Sequence, residues 1–217
     1  MANTQTEGFG LRMTERLGNT PATSGQSAYP VKSNPGVGIY KGNPVSFQDS
    51  SGDEGYLQDM SFATTDDTGA GGQSYNNTTQ PLLVGVFNGI FYVDNTTKKP
   101  RFTNFVDAGT VFGTDYNTGS ADGTGFINDD PSQEYIVKTD AAAPITDNGK
   151  NFNVTSFTAT DNKSGQSTVK LHCTGGGAAT KMWKMVRSAD VPDNNDRSAV
   201  NVDMIVAYNP ASNIYIA

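Results

Sequence analysis

The stretch "PLLVGVFNGIFYV", residues 81–93, is the longest apolar run in the chain. It is too short to cross a bilayer as a helix, which takes about 20 apolar residues, and Gly85, Asn88 and Gly89 interrupt it. Valine, isoleucine and aromatic residues dominate it, as they do in strands. Alternation places Leu82, Val84, Val86, Ile90 and Tyr92 on one face and Leu83, Phe87, Phe91 and Val93 on the other. A strand apolar on both faces belongs in the middle of a sandwich or against another subunit. Gly85 and Gly89 predict a bulge or a close approach of backbone.

Working outward, strand signals recur: "RFTNFV" (101–106), "EYIVKT" (134–139), "NFNVTSFT" (151–158), "TVKLHC" (168–173), "KMWKMV" (181–186) and "AVNVDMIVAYN" (199–209). In the last, Val200, Val202, Met204, Val206 and Tyr208 alternate with Asn201 and Asp203. In "VGIYKGNPVSFQ" (37–48) two short strands flank a turn at residues 41–44, and Pro44 marks a strand start because it cannot donate to a ladder. With 24 glycines and 10 prolines in 217 residues, the intervening segments read as turns. The predicted class is all-β: an antiparallel β-sandwich or barrel-like domain over 37–217 with an extended N-terminal arm over 1–36. Within the arm only Leu11 to Leu17 could form a helical turn, and its scattered hydrophobes can scarcely make a core of their own, so the arm either stays mobile or lies along a partner.

Charge is uneven. Net charge is −7, and between Gly42 and Thr97 there are seven acids and no Lys or Arg, so the remaining fifteen acids match the fifteen bases. Residues 49–81 therefore read as an acidic exposed loop, too long for an ordinary hairpin connection. An acidic region on a neutral body argues against nucleic acid, whose phosphates need clustered Lys and Arg. Residues 1–10 carry neither a basic nor an apolar signal region, so the expectation is a soluble protein made in a cytoplasm, with no membrane partner.

The chemical candidates each have a structural reading. Asp129 and Asp130 stand before Pro131, with Glu134 and Asp140 close behind. Neighbouring carboxylates on a strand point to opposite faces, and an acid before proline favours a turn, so "GFINDDPSQEYIVKTD" (125–140) is read as a turn. His172 and Cys173 also face opposite ways, a poor nucleophile and base pair. Cys173 is the sole cysteine, so no intrachain disulfide or cysteine-based zinc site is possible. "CTGGGAAT" (173–180) lacks the lysine of a phosphate loop. Trp183, on one face with Met185, is core or an interface anchor. No catalytic residue, cofactor or metal is predicted.

Several pieces in order resemble the cement or head-decoration proteins of tailed bacteriophages. They are "GFGLRMTERLGNTPATSGQSAYPV" (8–31), "GIYKGNPVSF" (38–47), "LLVGVFNGIFYVDNTTKKPRF" (82–102), "GFINDDPSQEYIVKTD", "NFNVTSFTATDNKSGQSTVKL" (151–171), "KMWKMVRSADVPDNNDRSAVNVDMIVAYN" (181–209) and "NIYIA" (213–217). Each motif is loose; their order carries the resemblance, and the acidic insert at about 49–79 has no counterpart. The resemblance implies a structural virion protein on the outer surface of a capsid, bridging major capsid protein subunits, with copies of itself in a homo-oligomer, a trimer before a dimer. The arm residues Phe9, Leu11, Arg12, Arg16, Leu17 and Tyr29 are the expected capsid contacts. The rival readings are a carbohydrate-binding β-sandwich, since Tyr, Trp and Asn suit sugars, a hydrolase on Asp129, Asp130 and Glu134, and another virion part such as a tail or fibre subunit.

Overall fold

The computed structural model describes residues 3–18, 20–21, 25–48, 52–60, 83–115, 117, 119–155, 164–174, 176–179 and 181–215. The architecture is all-β and antiparallel, sandwich-like, with only two short 3-10 turns, Ile145–Asp147 and Pro210–Ser212, among the described residues. The first sheet runs β14 (Leu171–His172), β13 (Asn151–Val154), β15 (Trp183–Ser188), β16 (Asp203–Tyr208), β12 (Gln133–Lys138), β1 (Arg12–Arg16) and β2 (Thr20–Pro21). The second runs β3 (Ser27–Val31), β11 (Gly123–Asn128), β7 (Leu83–Asp94), β5 (Pro44–Phe47) and β6 (Leu57–Asp59), with β8 (Pro100–Thr103) and β10 (Phe112–Gly113) also paired to β7. A ribbon of β4 (Ile39–Tyr40) and β9 (Phe105–Val106) covers the second sheet. That sheet curls: Tyr29 meets Phe47 edge to face at 5.3 Å, Tyr56 donates to Asp122, and Lys32 pairs with Asp53.

Two cores result, and β7 feeds both. Leu83 and Val86 join the first sheet's core, while Val84, Phe87, Ile90 and Tyr92 join the second's. Strict alternation would have put Val84 and Val86 together. The difference lies in two bulges. Val45 and Ser46 of β5 pair with Gly85 and Leu83, leaving Val84 extra, and Phe126 and Ile127 of β11 pair with Gly89 and Phe87, leaving Asn88 extra. Each extra residue shifts the phase of the strand by one. The glycine signal was sound: a Cβ at Gly85 would lie 2.3 Å from the carbonyl oxygen of Asn128, so only glycine lets the two strands cross here.

The crossing delivers Asn128 to the first core. Its carbonyl accepts from the hydroxyls of Tyr135 (3.1 Å) and Tyr208 (3.0 Å), which lie 2.7 Å from each other. Two protons serve three contacts, so at any moment one hydroxyl relays through the other or both donate directly. Burial pushes both phenols well above their ordinary pKa, so they stay protonated donors. Trp183 packs on Tyr208 and Tyr135 at 4.9 and 5.5 Å and is fully buried, which assigns it to the core.

The N-terminal segment is extended but does not stand apart as an arm. β1 pairs with β12 and with β2, and β3 pairs with β11, so the described residues of this segment supply two strands to the first sheet and one to the second. The helical turn expected from Leu11 to Leu17 is strand β1, and Leu11 is buried in the first core. Ahead of β1 the chain straps the outer face of the first sheet. Asn3 donates to the carbonyls of Asp196 and Val200, Gln5 N donates to Asn194, and Phe9 lies 5.4 Å from the ammonium of Lys138. Beneath the strap Lys138 is fully buried and pairs with Asp203 at 2.7 Å, with Asn194 on the other carboxylate oxygen. Periodicity does not reveal these strands because β1 and β3 pair with β12 and β11, which lie far along the chain.

Other boundaries moved as well. Val200 is exposed and outside β16, because Asn201 adopts a positive φ of 63° that ends the alternation. Within the acidic stretch 49–81, residues 57–59 form β6, and Leu57 and Met60 are buried; residues 49–51 and 61–81 lie outside the described residues.

Tyr135→Phe and Tyr208→Phe should each cost about 1 kcal/mol, since one hydroxyl still serves the carbonyl. The double variant should lose more than the sum, because it strips both tyrosine donors from a buried acceptor. Urea unfolding of the four proteins checks this, and strict additivity would show that the carbonyl is satisfied elsewhere.

Candidate functional site

The acids predicted to be structural have found structural partners. Residues 129–132 form the link from β11 to β12, hence from one sheet to the other. Asp130 accepts from Ser132 N (2.9 Å) and Ser132 Oγ (2.6 Å) and pairs with Arg16 at 2.8 Å. Asp129 turns the other way and accepts from the hydroxyls of Tyr29 and Tyr215 at 2.8 and 3.0 Å. Glu134 is buried against Arg187 at 2.8 Å. Asp140 holds His172 Nδ1 at 2.5 Å and accepts from Cys173 N at 2.7 Å. Burial, and then the charge of Asp140, push the Cys173 thiol well up, so it is no nucleophile at neutral pH.

The six expected contact residues are distributed as follows. Leu11 is buried and is withdrawn from the set. Phe9 is half-buried between Lys138 and Arg12, whose guanidinium lies 5.3 Å from its ring. Arg12 and Leu17 are exposed, Arg16 is tied to the 129–132 turn, and Tyr29 reaches the same turn from the second sheet. The turn thus brings Arg16, Leu17 and Tyr29 to one end of the molecule.

A surface the sequence did not single out lies on the outer face of the second sheet. Ile90 and Tyr92 of β7 point into the core, so Phe91 points out and is 37% exposed. Phe102 of β8 is its cross-strand partner and is 64% exposed. Its ring lies over Gly89, which leaves room for it, and meets Phe126 of β11 at 5.5 Å. The hairpin that carries Phe102 is pinned by Asp94. Hydrogen bonds from Thr97 N and then Arg101 lower the Asp94 carboxyl to about 2. Beside the aromatic face lies a cleft of about 370 Å3, lined by Ala28, Pro30, Phe91, Asp115, Asp122 and Thr124. Phe91 and Phe102 are exposed side by side, and Phe126 lies half-buried against Phe102. The signal was weak in the sequence, because an outward Phe on an apolar strand reads the same as an inward one.

No family model, curated protein or solved structure matches the chain. Among the described residues no helix is long and apolar enough to cross a membrane, and no group of three or more His, Cys, Asp or Glu could hold a metal ion.

Asp130→Asn tests the turn. Burial opposes ionisation, but the Ser132 hydrogen bonds and Arg16 outweigh it and hold the carboxyl below its ordinary value. A depressed folded pKa stabilises above the unfolded value of about 3.9 and ceases to do so as pH falls through the folded value. The variant should therefore lose up to about 1 kcal/mol at neutral pH for this partly exposed pair, and the deficit should vanish in acid. A deficit that persists unchanged at low pH in urea titrations would remove the carboxylate as its cause.

Proposed function

We propose that this is a structural protein of a tailed-phage virion, which binds the outer surface of the capsid and cements neighbouring major capsid subunits. The observation that carries the reading is the aromatic face of Phe91 and Phe102, both exposed, with the half-buried Phe126 beside them, on a sheet whose other side is core. Large apolar side chains held out from a well-packed sheet make interface anchors. The partner is read from the resemblance of the ordered motifs to decoration proteins. In this reading each copy adds a modest contact, and repetition over a lattice adds the strength. Arg12, Leu17 and Tyr29 are candidate secondary contacts, and the protein acts as a homo-oligomer without catalysis or cofactor.

A second reading has one observation in its favour. The aromatic face adjoins a cleft bordered by Asp115, Ser120 and Asp122, and aromatic rings beside carboxylates are also the chemistry of sugar binding. Asp122 is already engaged by Tyr56 (2.9 Å) and Ser120 (3.1 Å), which reduces what it offers a ligand.

Co-sedimentation with phage heads lacking the protein separates the two. The intact chain should saturate at a fixed number of copies per head. Replacing both Phe91 and Phe102 by Ser should weaken binding roughly ten-fold or more, with an unchanged thermal transition. Failure of the intact chain to bind, together with aromatic-dependent retention on a glycan matrix, would replace the capsid reading with the sugar one.

A further inference from the structure

Beneath the N-terminal strap, one carboxylate holds two groups that can react with each other. Lys138 ends β12 and Asp203 begins β16, and the two are cross-strand partners. Lys138 Nζ donates to Asp203 Oδ1 at 2.7 Å. Asn194 Nδ2 donates to the other oxygen, Asp203 Oδ2, at 3.2 Å. An amine and a carboxamide therefore share a single carboxylate.

Partners on both sides fix the orientation of the Asn194 amide. Gln5 N donates to Asn194 Oδ1 at 3.1 Å, and Gln5 Oε1 accepts from Nδ2 at 3.5 Å. Backbone bonds clamp the same residue: Asn194 N donates to Val191 O at 2.9 Å, and Asp203 N donates to Asn194 O at 3.0 Å. All three side chains are out of water, for Lys138 and Asn194 have no exposed surface and Asp203 is 3% exposed. The Phe9 ring of the strap lies over the Lys138 nitrogen.

As an ion pair this site gains little. Desolvation offsets most of the attraction between two buried charges, and well-packed apolar residues often serve as well. As a set of reactive groups it is complete. A neutral amine is a nucleophile, a carboxamide carbon is its electrophile, and a carboxyl group touching both nitrogens can carry protons between them. Holding the two on one carboxylate also replaces an encounter by proximity.

We propose that Lys138 and Asn194 join in an intramolecular isopeptide bond, with Asp203 as the proton carrier. Asp203 takes one proton from the Lys138 ammonium, and the freed amine attacks Asn194 Cγ. Negative charge develops on Oδ1, which already accepts from the Gln5 N–H, a donor placed as in an oxyanion hole. Asp203 passes its proton to Nδ2 and takes a second one from Nζ. The Nζ–Cγ bond forms, the Cγ–Nδ2 bond breaks, and ammonia leaves. Asp203 ends as the neutral acid, so a site that began with two buried charges ends with none, which a dry interior favours. The balance needs no oxidant, cofactor or second molecule. The product fastens the end of β12 covalently to the link between β15 and β16. The inference does not rest on the capsid reading, since the reaction lies within one chain and occurs once per molecule.

Intact-mass measurement of the folded full-length protein, followed by peptide mapping, tests this. Wild type should be lighter by one ammonia than its sequence requires, and its digest should contain a branched peptide joining Lys138 to Asn194. Lys138→Arg keeps a cation opposite Asp203 but has no nucleophilic amine, so it should retain the ammonia. The wild-type map decides the matter even where that variant fails to fold. A folded wild type at its full sequence mass would overturn the proposal. So would ammonia loss traced to Asn88 or Asn148, each followed by glycine, where a succinimide expels ammonia without a cross-link. Ammonia loss that persists in Lys138→Arg would overturn it too.

Discussion

The molecule depends on one strand facing two cores. β7 is twelve residues long, and its neighbours require inward side chains on different sides at different points along it. The extra residues Val84 and Asn88 meet that requirement by shifting the phase of alternation twice. Leu83 and Val86 then close the first core, and Phe87, Ile90 and Tyr92 fill the second. The close crossing at Gly85 sets the end of β11 against β7, and the Asn128 carbonyl there becomes the acceptor for two tyrosines of the opposite sheet. Sheet-to-sheet registry thus rests on a glycine, two bulges and one carbonyl.

The charged residues follow the same logic of fastening. Asp130 ties the inter-sheet turn to β1, Glu134 and Glu15 share Arg187, and Asp203 neutralises a fully buried Lys138 under the N-terminal strap. Removing one member of the Lys138–Asp203 pair, whose two side chains are both buried, costs roughly 3–5 kcal/mol because the other charge is left without compensation. Most of the acids that invited a catalytic reading are therefore occupied in holding segments together. The aromatic face traces back to β7: Phe91 points outward because its neighbours point inward.

The sequence by itself determined the class of structure and several of its local features. Turn-forming residues between short apolar runs specify antiparallel strands, Pro44 starts β5, the Asp129-Asp130-Pro131 link turns the chain, and Gly85 marks a close approach. These are local properties, fixed by backbone sterics and by hydrogen bonds between residues a few positions apart. Only the tertiary structure decided that residues 12–16 and 27–31 are strands, that Leu11 is core, that Asn201 cuts Val200 out of β16, and that Phe91 and Phe102 face outward. The reason is that burial, pairing and bulge position are set by strands distant in sequence. A side chain's periodicity carries no record of which neighbour will cover it.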